Sequence, residues 1–281
     1  MRFTKLHGAG NDYIYVDARE VHVADPGVLA ARVSDRHFGI GADGLILALP
    51  PEDAAKADLR MRMFNADGSE SGMCGNGIRC LAKFAVERGL AKGDTVRIET
   101  PAGLRVVELI REGGRIVRGS VTMGRPRLAP ADIPVDLEGD RAVDVPLDVG
   151  GQTLWMTCVS MGNPHAVFYV DSAADWPLGT LGPKIENHRL FPERINAHVV
   201  EVLSAHEAVV RTWERGSGLT LACGTGASAV CVAGVLTGRT GHSLLAHVPG
   251  GDLEVEWPDA KAEVRLTGPV EEVFSGEWPD G

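Results

Sequence analysis

The chain carries one ordered set of landmarks twice, so it must fold into one architecture used two times over. Gly10-Asn11 leads into the apolar run Tyr13-Ile14-Tyr15-Val16 and Asp17, and Gly162-Asn163 leads into Ala166-Val167-Phe168-Tyr169-Val170 and Asp171. Both read as a loop entering a β-strand. A Cys-Gly-x-Gly motif follows in each half, at Cys74-Gly75-Asn76-Gly77 and Cys223-Gly224-Thr225-Gly226. The separation from Asn11 to Cys74 is 63 positions, and from Asn163 to Cys223 it is 60. Pro101 lies 27 beyond the first cysteine and Pro249 lies 26 beyond the second. Each proline precedes a hairpin-like pattern, with turns expected at Gly113-Gly114 and Pro258-Asp259 and ends at Gly124 and Gly268.

After each Cys-Gly-x-Gly the pattern becomes helical. Ile78, Leu81, Phe84 and Ala85 recur at helical spacing with Gly89 as terminator. The second helix is expected over about Ala227 to Thr237, ahead of Gly238, and is apolar nearly all round, which marks it as buried. The fold class is therefore α+β, with two pseudo-symmetric halves, each a strand-rich sheet or barrel wrapped around a central helix. The Pro-rich, acidic stretch from Arg125 to Gly151 is expected to contain the crossing between halves.

Composition removes several classes of function. A net charge of -10 leaves no basic footprint for nucleic acid. The start, Met1-Arg2-Phe3-Thr4-Lys5, lacks the apolar core of a signal peptide. The longest apolar stretch, Leu221 to Leu236, is too short to span a membrane. Five cysteines without a secretory signal point to reduced thiols in the cytoplasm. None forms a CxxC pair or a compact Cys/His cluster, so no metal site is expected.

The chemistry is expected where the cysteines meet the helices. The first N–H groups of a helix lack intrahelical partners, and the helix dipole adds positive charge there. A cysteine at that point has its thiolate stabilised, and the same N–H groups can bind a carboxylate. Two such sites suit stereoinversion at a carbon, one thiolate removing a proton from one face and the other thiol returning one to the opposite face. A single buried cysteine is ordinarily a core residue. Two at matching repeat positions, each before Gly-x-Gly, are read as functional, and Cys80, Cys158 and Cys231 as core. Gly39-Ile40-Gly41-Ala42-Asp43-Gly44 matches the dinucleotide pattern GxGxxG, but a helix-like segment (Leu29 to His37) precedes it and a strand-like one (Leu45 to Leu49) follows. That order is the reverse of what nucleotide binding needs. Asn11, Asn65, Asn76, Asn163 and Asn196 cluster near the landmarks, where turns and caps would account for them equally well. His165 and the pair Glu214-Arg215 are likewise not lifted above structural roles by spacing alone.

The motifs together resemble the diaminopimelate epimerase family along essentially the whole chain. The segments that carry the resemblance are Lys5 to Asp12, Phe64 to Glu70, Met73 to Cys80, Met161 to His165, Trp213 to Gly218 and Ala222 to Gly226. The resemblance implies cofactor-independent interconversion of LL- and meso-diaminopimelate, without pyridoxal phosphate, in the synthesis of lysine and peptidoglycan precursors. Cys74 and Cys223 match the family's two bases, and His165 and Glu214 match residues that orient or tune the reacting groups. Gly75, Asn76, Gly224 and Thr225 match the helix-terminus positions that hold a carboxylate. Asn11, Asn65, Asn163, Asn196, Glu214 and Arg215 match residues around the substrate's polar groups. The family implies a homodimer, with Phe274 at the contact, and a C-terminal tail that returns to the first half. The expected halves are thus 1–122 plus 269–281, carrying Cys74, and 123–268, carrying Cys223. Gly44 stands where some members have a substrate-contacting Gln.

Two rival readings remain. A proline or hydroxyproline racemase would use the same two-cysteine chemistry, but its substrate has no distal polar head for Arg215 and the asparagines. A thiol redox protein would use Cys74 and Cys223 as a disulfide pair.

Overall fold

The structure, a computed structural model, describes residues 1–19, 21 and 23–279. The chain divides into two compact units, one formed by Met1–Thr122 together with the segment from Thr267 onwards, the other by Met123–Leu266.

In the first unit, β1 (Arg2–Gly8) and β2 (Asn11–Asp17) form an antiparallel pair. The chain then crosses through α1 (Pro26–Ser34) to β3 (Gly44–Leu49), which runs parallel to β2. The helix begins where Asp25 caps it, its side chain accepting from the Val28 N–H at 3.0 Å, and Pro26 occupies the first turn. It lies three residues earlier than the expected Leu29 to His37, because the cap and the proline fix the start more firmly than the apolar spacing does. β4 (Leu59–Asn65) pairs antiparallel with β3 and with the short β5 (Glu70–Ser71). Helix α2 (Gly75–Glu87) leads to β6 (Thr95–Thr100), parallel to β4. β7 (Gly103–Glu112) and β8 (Arg115–Gly124) complete the run as a hairpin. Its turn is Gly113-Gly114 with φ of 56° and 84°, the conformation a two-residue hairpin loop requires.

The second unit repeats this order. β9 (Val145–Val149), β10 (Gln152–Ser160) and β11 (Pro164–Tyr169) are antiparallel neighbours, and α3 (Leu178–Glu186) crosses to β12 (Asn196–Ser204), parallel to β11. β13 (Glu207–Glu214) pairs antiparallel with β12 and with the short β14 (Gly218–Thr220). Helix α4 (Gly224–Thr237) leads to β15 (Ser243–Val248), parallel to β13 and paired with β16 (Gly251–Glu256). β17 (Val264–Pro269) carries the chain back to the first unit, where β18 (Glu271–Glu277) pairs antiparallel with β1. The connection from β16 to β17 spans residues 257–263, longer than the tight turn expected at Pro258-Asp259, since Pro258 cannot donate to a ladder and no glycine follows it.

The duplication is thus strand for strand, and β1 to β4 have their counterparts in β10 to β13. Each unit surrounds its long helix. Helix α2 packs against β1, β2, β3, β6 and β7, and α4 packs against β10, β11, β12, β15 and β16. Helix α4 begins at Gly224, three residues before the expected Ala227, so the motif glycines are its first turn. It ends at Gly238 with φ of 70°. The stretch from Arg125 to Gly151 lies wholly in the second unit, where Ile133, Val135, Ala142, Leu147 and Val149 join one core cluster. Among the described residues, no helix is long and apolar enough to cross a membrane.

Candidate active site

Both motif cysteines stand at the same structural place. Cys74 is the N-cap of α2 (φ −128°, ψ 126°) and Cys223 is the N-cap of α4 (φ −124°, ψ 108°). Gly75 and Asn76, and likewise Gly224 and Thr225, are the first helical residues, whose N–H groups have no acceptor within the helix. The glycine that follows each pair answers a packing demand. A Cβ on Gly77 would lie 2.7 Å from Cδ1 of Ile46, and one on Gly226 would lie 2.2 Å from Cε1 of His198.

In the first unit, Sγ of Cys74 accepts from the Gly77 N–H at 3.4 Å and donates to Oδ1 of Asn11 at 3.3 Å. Asn76 also donates to that Asn11 oxygen, at 3.4 Å. Asn76 is itself held by Arg79, whose guanidinium donates to Asn76 Oδ1 at 2.9 Å and to the Gly75 carbonyl at 3.0 Å. Arg79 is fully buried, and burial draws its pKa down. The Asn11 NH2 donates to Oδ2 of Asp43 at 2.8 Å. Behind it, Arg36 bridges Asp12 and Asp43 at 2.8 and 3.0 Å, and Lys5 pairs with Asp12 at 2.8 Å. Burial works to raise the Asp12 carboxyl, but bonds and charge from Arg36 and Lys5 outweigh it and hold the group below its usual range. Asp43 goes the other way, raised by burial and by the charge of Asp12. Asn65, half-buried at the end of β4, donates to Ser69 at 2.9 Å and lies opposite Gly44 across the ladder. Gly44 admits no side chain as the backbone stands, since a Cβ there would lie 2.2 Å from the Phe64 carbonyl oxygen.

In the second unit, Cys223 is buried, with Sγ 3.6 Å from Oγ1 of Thr225. Oδ1 of Asn163 accepts from Nε2 of His165 at 2.9 Å, and Nδ1 of His165 meets Nε2 of His198 at 2.9 Å. His198 in turn meets Oγ1 of Thr212 through Nδ1 at 2.9 Å. Burial lowers both imidazoles, His165 well below its ordinary range, with His198 and Arg215 adding to it, and His198 to about 3. Both are therefore neutral at physiological pH. The Asn196 amide bonds the backbone on both sides, donating to Pro164 O at 2.7 Å and accepting from Arg215 N at 2.9 Å, which leaves one N–H and one lone pair over. Glu214 and Arg215 end β13 and begin its turn, both half-buried, with Arg215 also donating to the Glu193 carbonyl at 2.8 Å.

The first unit thus gathers Asn11, Cys74, Gly75 and Asn76 into one network, while Asn65 bonds Ser69. The second joins Asn163 to His165 and Asn196 to Arg215. Residues not singled out in the sequence support both sets. Asp43, Arg36 and Arg79 hold the amides around Cys74. Glu186 accepts from Trp213 Nε1 at 2.7 Å and Gly216 N at 2.9 Å, pinning the turn that contains Glu214 and Arg215. Glu186 is buried on a helix face and carried no motif; only a carboxylate at an otherwise apolar helical position marked it. Cys80, Cys158 and Cys231 are buried, and burial pushes each thiol up to about 12. Gly39 to Gly44 lies between a helix and a strand, the reverse of a dinucleotide fold. Phe274 lies on β18, partly exposed, edge-on to Phe3 at 5.9 Å between ring centres. Among the described residues no group of three or more His, Cys, Asp or Glu side chains is placed to hold a metal ion.

Comparison with known proteins agrees with this arrangement. The diaminopimelate epimerase family model matches residues 3–129 and 157–273. The chain is 50% identical to the diaminopimelate epimerase of Acetivibrio thermocellus over 277 residues, covering 99% of this chain and 98% of the relative. It is 46% identical to that of Methanococcus maripaludis over 277 residues, covering 99% of each. Among solved structures, a hydroxyproline epimerase from Agrobacterium vitis has the same fold, with a TM-score of 0.69 at 16% identity, covering 98% of this chain and 91% of that one. A PhzF-family protein of Bacillus anthracis matches with a TM-score of 0.68 at 18% identity, covering 100% and 99%. With two cysteine-capped helices in duplicated units and full-length relatives at half identity, the chain belongs to the diaminopimelate epimerase family.

Proposed function

We propose that the protein is an isomerase that interconverts LL- and meso-diaminopimelate by a two-base mechanism, one base from each unit. The observation that carries this reading, within a family of that name, is the equivalent placement of Cys74 and Cys223 as N-caps of two buried helices. A thiol gives up its proton near neutral pH where a hydroxyl does not, and a helix N-terminus favours the thiolate. In one direction the Cys74 thiolate takes the α-proton and the Cys223 thiol donates to the opposite face of the carbon; in the other direction the roles exchange. The carbanionic intermediate places its charge on the α-carboxylate, and N–H groups at Gly75, Asn76, Gly224 and Thr225 stabilise it there. Proton balance is kept, since one thiol is regenerated for each consumed.

Asn11 holds the Cys74 thiol through Oδ1. Asn65, Asn163, Asn196 and Arg215 receive the polar groups of the substrate's distal amino-acid head. Glu214 and neutral His165 orient the reacting groups. The reaction places the enzyme in the cytoplasm, in lysine and peptidoglycan precursor synthesis, and the catalysis needs no cofactor. A homodimer is expected to form through β18, where Val273 and Phe274 are exposed. Sedimentation of the protein and of Phe274→Asp tests that assembly, and a monomeric wild type would refute it.

The decisive experiment is solvent-deuterium incorporation followed by NMR, with reduced protein and no added cofactor, on LL-diaminopimelate and L-proline in parallel. Label at the α-carbon of diaminopimelate with appearance of the meso form is the expected result. Exchange in proline alone would move the chain to racemase chemistry on the same fold, and exchange in neither would remove the catalytic reading.

A further inference from the structure

The line Asn163–His165–His198–Thr212, half-buried at Asn163 and buried from His165 onward, has a property that none of its members has alone. A neutral imidazole carries one N–H and one bare nitrogen. With the Asn163 carbonyl oxygen toward Nε2 of His165, that nitrogen bears the proton and Nδ1 must receive one. What faces Nδ1 at 2.9 Å is Nε2 of His198, which therefore carries the His198 proton. Nδ1 of His198 is then bare and receives the Thr212 hydroxyl at 2.9 Å. Every atom in the line is satisfied, and every proton points the same way. Only the reversal of the whole line, with the Asn163 amide turned over, satisfies all of them again. A mixed arrangement sets N–H against N–H or lone pair against lone pair, at sites where water cannot help. Both rings are fully buried.

The duplication supplies an internal control. In the ladder of the second unit His198 lies between Val167 and Thr212; at the matching register of the first, Ile46 lies between Tyr15 and Met63. Ile46 and Met63 fill that place with apolar side chains, both buried. Each ring or side chain also meets the same feature of its helix, His198 against Gly226 and Ile46 against Gly77. The fold thus does not need polar groups at this position. Burying an imidazole and a hydroxyl instead carries a desolvation penalty that apolar residues avoid.

We infer that His198 and Thr212 are positioning residues: they couple His165 and Asn163 into one concerted arrangement, and with Asn163 Oδ1 toward the ring His165 is protonated at Nε2 and the Asn163 NH2 is turned outward as a donor for an acceptor group of the substrate. This rests on the reading of Asn163 as a substrate contact. His198 is fully buried, and its influence on Asn163 passes through two hydrogen bonds. If the line were broken, His165 would sample both tautomers and the Asn163 amide both orientations, so that part of the population would present an acceptor where a donor is needed.

The test uses protein labelled with 15N-histidine and the double substitution His198→Ile with Thr212→Met, which installs the apolar pair that the first unit already accommodates. In the wild type, nitrogen shifts should show His165 and His198 in one neutral tautomer each, without titration from about pH 6 to 9. In the double variant His165 should move to a mixture of tautomers. KM for LL-diaminopimelate should rise about two- to threefold, in proportion to the share of Asn163 turned the wrong way, with kcat little changed. Mixed tautomers of His165 in the wild type would overturn the inference whether or not the variant folds. An unchanged His165 tautomer in the variant, or an unchanged KM, would overturn it too. A wild type that does not turn over diaminopimelate would count against the functional reading alone, because the spectra still decide whether the line is locked.

Discussion

At the scale of single residues, the two motif glycines Gly77 and Gly226 show how much a missing side chain can specify. The sequence marks both as part of a helix start, which is what the N–H groups of a substrate-binding terminus require. The structure adds a second reason, the side chain that each glycine admits. Gly226→Ala places a methyl 2.2 Å from a buried histidine ring that cannot retreat without breaking its hydrogen bonds. We expect a loss of about 1–3 kcal/mol in urea unfolding. Gly77→Ala meets only the flexible end of Ile46 and should be milder. Replacing Cys74 or Cys223 by Ala should abolish epimerisation, and Ser should leave little, because a hydroxyl is much the weaker base. Full turnover by either single variant, measured by the deuterium assay, would refute the two-base scheme. The remaining cysteines should resist iodoacetamide in the native protein near neutral pH, and mass spectrometry of Cys80, Cys158 and Cys231 would show it.

At the scale of elements, legibility followed the range of the interaction. The strands after Gly10-Asn11 and Gly162-Asn163, the helices after the cysteines and the Gly113-Gly114 turn are written in local pattern, and they form near where the pattern puts them. Local signals also misplace ends. The start of α1 is fixed by Asp25 and Pro26, which the apolar spacing ignores, and α4 reaches back to Gly224 because its first turn is glycine that periodicity does not count. Asp25→Ala should therefore lower stability by about 1 kcal/mol, read from the denaturant midpoint, while Asp25→Ser should lower it much less. What the sequence did not disclose is contact made across strands. His165 and His198 are 33 residues apart, and Asn11 and Asp43 are 32 apart. Neither partner stands out until β11 lies parallel to β12, and β2 to β3.

At the scale of the whole molecule, the buried imidazoles tie stability to pH. The folded values of His165 and His198 lie below the ordinary value, so the unfolded chain binds more protons than the folded one once the pH drops beneath about 6.5. Their contribution is fully kept above that point and is lost progressively as the pH falls toward about 3, where His198 titrates. The urea midpoint should therefore fall between pH 7 and 5, and fall less in the His198→Ile, Thr212→Met variant; equal slopes would contradict the assignment.

The return of the chain to its first unit has a consequence in time. The second unit is one continuous stretch, Met123–Leu266, but β1 finds its partner β18 only after Glu271. On a ribosome, synthesis proceeds from the N-terminus, so the half made first is the half that must wait. Its opening strand has an unpaired edge until β18 has been made, and such an edge is open to pairing with another chain. The second unit needs no residue beyond Leu266. A chain truncated after Leu266 should show protease-resistant second-unit fragments beside a first unit still cut freely within β1, because the strand that brings the older half to rest begins only at Glu271.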